Sequence, residues 1–351
     1  MGNQKLIDER FMQRALQLAA LGGVNAAPNP MVGAVIVYQG KIIGEGYHQK
    51  CGEAHAEVNA VAAVADKSVL KEATMYVTLE PCSHHGKTPP CADMIVRHGF
   101  KRVVVACVDS FSEVSGRGIK RMVDAGIIVD VGVLEEEARE LNKRFFTFHE
   151  KKRPFVVLKW AQTQDGFMDR LPEERETGVN WITNPATKKW VHEWRSAEQA
   201  ILVGVNTIIN DDPQLNVRKI VAPSPLRFVI DPHGRIPQQA KVLNDGQPTF
   251  LLTKNCSYDF SLQENVTQIC LANYTIQEVL NVLNAKNILS VFVEGGKTTL
   301  DSFIEEHLWD EAKVLTGRSF FLAGITAPQL KKMPLWRTEL GEDVLHYFRN
   351  V

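Results

Sequence analysis

The sequence is short of the features that would place it at a membrane, on nucleic acid or in an oxidising space. Its 351 residues carry a formal net charge of −1, so no broad field draws it to a polyanion or an anionic lipid surface. No apolar run approaches the length of a bilayer crossing. The opening residues, MGNQKLIDERFMQRAL, bear charges where a secretory signal would need an apolar core. Cysteine is scarce, six residues in all, and Cys51, Cys107, Cys256 and Cys270 show no disulfide-like spacing. The expectation is a cytoplasmic chain in a reducing compartment. Repeats and low-complexity tracts are missing, and no G-x-G-x-x-G announces a standard dinucleotide turn. With 44% hydrophobic and 23% charged residues the composition is ordinary for a globular protein, and the length allows two domains with substantial cores.

What is there gathers between Cys51 and Ala92. His55-Ala56-Glu57 is followed by Pro81-Cys82 and, after eight intervening residues, by Cys91. One imidazole and two thiolates are good ligands for tetrahedral zinc, and three protein ligands leave a fourth position for water. A structural zinc site would normally supply four ligands, often as two CxxC knuckles. Glu57, two residues from the ligating His, can reach that water without binding metal. H-x-E followed by P-C and a second Cys is the zinc deaminase signature, with the Glu as proton shuttle. The insert between the cysteines, SHHGKTPP, is polar and basic; the ammonium of Lys87 and the hydroxyl of Thr88 suit a substrate carrying phosphate.

The first half alternates helix and strand. Asp8 to Leu21 has a helical period ending at Gly22-Gly23, and MVGAVIVYQGKIIGEGYH reads as a hairpin turning at Gln39-Gly40. His48 lies just past it, near enough to line the same cleft. His55 to Ala65 is an alanine-rich helix, TMYVTLEP a strand ending at the cysteines, and Cys91 to Val96 a helix. RVVVACVD is a strand buried on both faces. A helix (Lys120 to Ala125), a strand (Ile127 to Val131) and a helix from Glu135 towards Phe146 complete a three-layer α/β/α sandwich.

PNPMVGAVIV, GEGYHQKCGEAHAEVNA and YVTLEPCSHHGKTPPC together resemble the deaminase half of the bifunctional riboflavin-biosynthesis deaminase/reductases, and imply a cytidine-deaminase-like fold. The eight-residue cysteine gap differs from the two-residue gap of tRNA adenosine deaminases. The resemblance implies that Asn29, His48 and Lys87 bind a pyrimidine ribosyl phosphate, with zinc on His55, Cys82 and Cys91 and Glu57 catalytic. The family's DPNP segment here reads DSFS, which puts Phe111 where the family has a polar Asn.

The charged run His149 to Arg153, closed by Pro154, is the expected linker, dividing a deaminase domain (1–148) from a second domain (154–351). The pattern restarts with the strand PFVVLKWA. A helix (Asn184 to Arg195), strands at Ala200 to Val205, Arg227 to Ile230 and Thr249 to Thr253, and a helix at Ile276 to Asn284 follow. ILSVFVEGG and the helix KTTLDSFIEEHL close a second α/β sheet, expected to lack disulfides. Gly204 to Arg218 reads as a polar loop, for which Asn-Asp-Asp-Pro is good turn chemistry. Glu294-Gly295-Gly296 stands where a buried strand turns into a helix, a natural phosphate site with Thr298, Thr299 and Ser302 as hydroxyl donors.

LKWAQTQDG, WIT, GVNTIINDDPQLNVR, IDPHGR and VFVEGG occur in the order of the same family's reductase half, whose fold resembles dihydrofolate reductase. That resemblance implies NADPH contacts at Gln162, Trp181, Thr207, Asp211 and the turn Gly296, Lys297, Thr298, Thr299, Leu300, Asp301 and Ser302. It implies substrate contacts at Lys159, Arg195, Leu215, Arg218 and Glu294, with the two arginines suited to phosphate. AQTQDGFM departs from the family's A-x-S-x-DG, and Val179 stands where Ser is common. The expected protein is a bifunctional enzyme: zinc-dependent deamination, then NADPH-dependent reduction of a ribosyl to a ribityl chain. Its partners are small molecules, without nucleic acid or membrane, in a family that commonly forms homo-oligomers. The alternatives are a deaminase whose second domain only binds, a nucleic-acid base deaminase, and a zinc-stabilised binding protein without turnover.

Overall fold

The structure is a computed structural model that describes residues 2–83, 89–110, 116–175, 180–254 and 263–350. The chain divides into two compact units, Met1–Lys152 and Arg153–Val351. Among the described residues no helix is long and apolar enough to cross a membrane.

The first unit runs α1 (Gly2–Ala20), β1 (Gly33–Tyr38), β2 (Lys41–Tyr47), α2 (Ala56–Ala63), β3 (Thr74–Val77), α3 (Cys91–His98), β4 (Arg102–Val105), α4 (Arg117–Asp124), β5 (Ile128–Val131), α5 (Glu135–Leu141) and α6 (Lys143–Lys151). Its five described strands pair in the order β2-β1-β3-β4-β5. β1 is antiparallel to β2 and β3, while β3, β4 and β5 are parallel. Alternation sends Ala34, Ile36, Met75, Val77, Val103 and Val105 to one face, where they pack against Ala60 and Val61 of α2, Ile95 of α3 and Met122 of α4. On the opposite face Phe11 of α1 meets Tyr76, ring centroids 5.3 Å apart. The Tyr76 hydroxyl donates to Asp8 Oδ1 at 2.7 Å, and Arg102 donates to both Asp8 oxygens at 2.7 and 2.8 Å. Helices on both faces make the expected three-layer sandwich.

Two expectations need correction here. The helix expected from Glu135 towards Phe146 is two helices, because Asn142 leaves helical geometry and bonds the Met31 backbone twice, at 2.8 Å each. The expected linker is partly helix: His149, Glu150 and Lys151 form the last turn of α6, with Glu150 and Lys151 exposed and the His149 ring packed on Phe145, centroids 4.4 Å apart. The break comes at Lys152, in the left-handed region, just before Pro154.

The second unit runs β6 (Phe155–Gln162), β7 (Phe167–Asp169), α7 (Thr187–Ser196), β8 (Ala200–Gly204), α8 (Val205–Asp211), β9 (Leu226–Ile230), α9 (Lys241–Asn244), β10 (Thr249–Thr253), β11 (Val266–Cys270), α10 (Ile276–Ala285), β12 (Ser290–Val293), α11 (Lys297–Glu305), β13 (Glu311–Thr316), β14 (Ile325–Thr326), β15 (Trp336–Leu340) and β16 (Asp343–Arg349). Nine described strands form one sheet in the order β11-β10-β9-β8-β12-β6-β13-β16-β15. From β11 to β13 all neighbours are parallel; β16 and β15 add antiparallel pairs at one edge. β12 and most of β6 are buried on both faces, as their unbroken apolar runs require.

The polar stretch after β8 is helix in its first half and loop only from Asp212 onwards: Val205 and Ile208, three apart, bury one side of α8 in the core, and the helix stops at left-handed Asp212. Asn184 lies before α7; its Oδ1 accepts the N–H groups of Ala186 and Thr187 at 2.9 and 3.2 Å. Cys270 is disulfide-bonded, against the expectation from spacing. Separation along the chain does not show that parallel pairing sets Cys270 opposite Thr253.

Candidate active sites

In the first unit the position of α2 begins with Gly46. A Cβ there would lie 2.4 Å from the Ala60 nitrogen and 2.5 Å from the Ala56 carbonyl oxygen, so the bare glycine lets the α2 backbone lie directly on β2. That seating holds His55 at the N-cap of α2 and Glu57 in its first turn. The chain leaving β3 carries Cys82 towards them, and Cys91 opens α3. The Cys91 and Ala92 N–H groups donate to Cys82 Sγ (3.3 Å) and its carbonyl (3.1 Å), closing the loop between the cysteines.

His55, Cys82 and Cys91 converge, their ligand atoms all within 4.8 Å of one another. His55 Nδ1 lies 3.6 Å from Cys82 Sγ and 3.3 Å from Cys91 Sγ. A tetrahedral zinc ion with sulfur at about 2.3 Å and nitrogen at about 2.0 Å separates such atoms by roughly 3.5 Å, so the donor set fits the ion in chemistry and spacing. Hydrogen bonding with Cys91, and then with His55, pulls the Cys82 thiol down to about 4 against the effect of burial. Glu57 is buried; desolvation first, and then the Cys82 charge, push its carboxyl up to about 7. A carboxyl in that range both takes and gives a proton near neutrality.

His48 is also brought here, its ring edge-on to His55 with centroids 5.6 Å apart. Its Nδ1 faces the Ala54 carbonyl at 3.2 Å and therefore carries the proton; Nε2, 3.1 Å from Asn29 Nδ2, accepts. Burial lowers the His48 pKa and favours the neutral ring. Lys87, Thr88 and Phe111 lie outside the described residues. Asn59, overlooked in the sequence, donates to the carbonyls of Tyr47 (2.9 Å) and Ala54 (3.4 Å), holding the segment that carries His48. Its signal was a lone amide four residues after His55 in an alanine-rich helix.

In the second unit the residues of interest stand at the carboxyl ends of neighbouring parallel strands, the usual crevice of an open α/β sheet. α8 starts from Gly204 after β8, and α11 starts from Gly296 after β12. A Cβ on Gly295 would lie 2.8 Å from Thr207 Oγ1, and one on Gly204 would lie 2.8 Å from Thr299 Oγ1. Thr207 of α8 thus faces the Gly295-Gly296 turn, where the first N–H groups of α11 lack carbonyl partners within the helix. That cradle of amides, hydroxyls and bare glycine suits a nucleotide phosphate. Lys297 pairs with Asp301 at 2.6 Å, and Ser302 donates to the Thr298 carbonyl at 2.9 Å. Leu300 is wholly buried in the core with its N–H on the Gly296 carbonyl, so its side chain faces the sheet.

A second cluster is ionic. Arg195 grips Glu294 with two hydrogen bonds, 2.6 and 2.7 Å, and reaches the Asn216 carbonyl at 3.1 Å. Arg218 donates from Nη1 to Asn216 Oδ1 (2.9 Å) and from its backbone to His192 Nδ1 (3.2 Å). Burial raises the Glu294 pKa, but Arg195 and Lys159 outweigh it and leave the carboxyl below its ordinary range. Burial lowers the Lys159 pKa, opposed by Glu294 and assisted by Arg195. The Leu215 side chain is buried in the core. His192 and Asn216 belong to this cluster and were missed; only the WVHEWR spacing, three residues from His192 to Arg195, hinted at the first.

The remaining expected cofactor residues make other contacts. Arg175 bridges Asp211 and Asp169, and Asp169 accepts from Asn180 at 3.0 Å. Trp181, next in sequence, is exposed beneath the Lys188 ammonium, 3.2 Å from the ring centroid. Gln162 accepts from Trp160 Nε1 at 3.0 Å. Val179 lies outside the described residues.

A zinc-type deaminase unit and a dihydrofolate-reductase-like unit in one chain define the class, a bifunctional deaminase/reductase. Residues 6–107 match the cytidine and deoxycytidylate deaminase zinc-binding region, and residues 154–322 match the RibD C-terminal domain. The chain is 43% identical to the riboflavin biosynthesis protein RibD of Aquifex aeolicus, over 98% of each chain. It is 38% identical to RibD of Bacillus amyloliquefaciens, over 96% of this chain and 95% of that one. A crystal structure of a diaminohydroxyphosphoribosylaminopyrimidine deaminase/5-amino-6-(5-phosphoribosylamino)uracil reductase from Thermotoga maritima superimposes with a TM-score of 0.89, at 34% identity over 99% of each chain. Acinetobacter baumannii RibD gives the same score at 33% identity, covering 98% of this chain and 99% of that one. The chain belongs to the RibD family of riboflavin-biosynthesis deaminase/reductases.

Proposed function

We propose that residues 1–148 deaminate 2,5-diamino-6-(5-phosphoribosylamino)pyrimidin-4(3H)-one and that residues 154–351 then reduce its ribosyl side chain to ribityl with NADPH. The observation that carries the first step is the convergence of His55, Cys82 and Cys91 beside buried Glu57. The three side chains would hold zinc, which when bound supplies a Lewis acid that lowers the pKa of water. Glu57 takes the proton of the attacking water and gives it to the pyrimidine ring nitrogen. The same carboxylate then takes the second proton, from the newly added hydroxyl as the carbonyl forms, and passes it to the departing amine, which leaves as ammonia as the C–N bond breaks. Neutral His48, held by Asn29 and the Ala54 carbonyl, lines the pyrimidine site; Lys87 would meet the ribosyl phosphate.

For the second step, bound NADPH supplies hydride to the former anomeric carbon of the opened sugar. Gly296, Thr298, Thr299 and Thr207 would hold its phosphates, with Gln162, Trp181, Asp211, Lys297, Asp301 and Ser302 around them. Leu300 would contribute no side-chain contact, since it packs in the core. Arg195 and Arg218 would orient the substrate phosphate, the Leu215 backbone and Glu294 its remaining polar groups, and Lys159 would stand near the reacting sugar.

Metal analysis of single variants tests the division of roles in the deaminase. Glu57→Gln should retain zinc while deaminase kcat falls by about 10²- to 10⁴-fold. Cys82→Ala and Cys91→Ala should lose the metal itself. Zinc loss in Glu57→Gln would make the carboxylate a ligand and overturn the assignment.

A further inference from the structure

Glu80 lies two residues before Cys82 and is only 4% exposed. Its carboxylate accepts N–H bonds from four described residues of one later segment. Oε2 receives Asp109 (3.4 Å) and Gly116 (2.9 Å), and Oε1 receives Gly118 (2.9 Å) and Ile119 (3.2 Å). Its own N–H donates to the Cys107 carbonyl at 3.0 Å. Backbone and side chain of Glu80 therefore clasp the chain that runs from the end of β4 into α4. The contact is close at a second point: a Cβ on Gly118 would lie 2.1 Å from the Pro81 carbonyl oxygen.

The chemistry requires a carboxylate. The first N–H groups of α4 have no carbonyl partners within the helix and sit at its positive end. A carboxylate offers about four lone-pair sites on two oxygens, whereas an amide keeps one acceptor and turns two donors towards donors. Charge-assisted bonds of this kind are also the stronger ones.

We infer that Glu80 is a positioning residue of the deaminase: by clamping Asp109, Gly116, Gly118 and Ile119 it fixes the Pro81-Cys82 peptide, and so the angle at which Cys82 meets the metal. Glu80 acts through Cys82 and touches neither substrate nor metal. The inference rests on His55, Cys82 and Cys91 being the ligands, as proposed above. Partners that hold metal ligands in place typically cost about 10- to 100-fold in activity or metal affinity when removed.

The test loads the full chain with Co²⁺ alone and records its visible ligand-field spectrum for the unaltered protein, Glu80→Gln, Glu80→Asp, Gly118→Ala and Cys82→Ala. Ammonia release, the NADPH-dependent reductase rate and the Tm of each chain are measured alongside, the reductase serving as an internal control for an intact second unit and the Tm for folding of the first. Glu80→Gln should bind cobalt with a shifted spectrum and lose about 10- to 100-fold in deaminase kcat, with KM changed less and the reductase unaffected. Gly118→Ala, whose Cβ would meet the Pro81 carbonyl oxygen at 2.1 Å and crowd Glu80 Oε1 at 3.3 Å, should shift the spectrum in the same way, and Glu80→Asp, which keeps the charge but shortens the reach, carries the test if Glu80→Gln does not fold. An unaltered spectrum and kcat in whichever variant folds, even with a lowered Tm, would reduce Glu80 to a structural staple and overturn the inference. If the unaltered protein binds no cobalt, or Cys82→Ala binds it equally well, the ligand assignment itself fails and the inference with it.

Discussion

Arg195 and Glu294 join end to end, Nε to Oε1 at 2.6 Å and Nη2 to Oε2 at 2.7 Å, with 11% and 8% of their side chains exposed. α7 supplies the arginine, and the glutamate directly follows the buried run of β12, just before the α11 turn. The pair fixes one charge against another where both the sugar phosphate and the cofactor are proposed to bind. Glu294 also balances half-buried Lys159. Glu294→Gln would leave two cations without their shared anion. The expected cost is about 3 kcal/mol of second-unit stability, read as a lower urea midpoint, together with loss of the reductase but not of ammonia release.

His192 gives the second unit a pH dependence of definite sign. Burial first, then the charges of Arg195 and Arg218, bring its pKa from 6.5 down to about 4, with Glu294 opposing and Lys219 assisting. The folded ring is neutral, and its Nδ1 accepts the Arg218 N–H. Between about pH 4 and 6.5 the unfolded chain binds a proton that the folded one does not. Stability contributed by this group is therefore complete above pH 6.5 and is lost as pH falls towards 4. His192→Asn, which keeps an acceptor without titrating, should flatten that part of a urea-midpoint profile; an unchanged slope would contradict the assignment.

Gly46 ties the fold to the metal site. A methyl group there meets the α2 backbone at Ala56 and Ala60, which cannot retreat as a flexible side chain could. Gly46→Ala should cost about 2–3 kcal/mol and displace the N-terminus of α2, which carries His55 and Glu57. Chelator competition should show weaker zinc binding, with reductase activity intact.

The metal stretch was legible because its chemistry is written in short spacings: His55 and Glu57 two apart, then Pro81-Cys82 and Cys91. The central strands were legible for a related reason, since PFVVLKWA and ILSVFV are apolar on both faces. The helix α8 was hidden by Asn210, Asp211 and Asp212, whose turn chemistry is spent only at its last residues while Val205 and Ile208 quietly bury. β15 escaped notice because most of its residues are exposed at a sheet edge and carry no alternation. Glu80 was invisible for a different reason. Its partners begin 29 residues later in the chain, and only the folded sheet, with β3 beside β4, brings them to its carboxylate.

The most direct test of two separable activities measures ammonia release and NADPH oxidation on the same purified, zinc-loaded preparations of the unaltered chain, Glu57→Gln and Glu294→Gln. The unaltered chain should release ammonia from the diaminopyrimidine ribosyl phosphate and then consume NADPH. Glu57→Gln should release ammonia about 10²- to 10⁴-fold more slowly, yet still oxidise NADPH at the unaltered rate when given the deaminated compound; Glu294→Gln should release ammonia normally and lose the reductase. Loss of both activities in either folded variant, or ammonia release by Glu57→Gln at the unaltered rate, would contradict the assignment of one reaction to each unit.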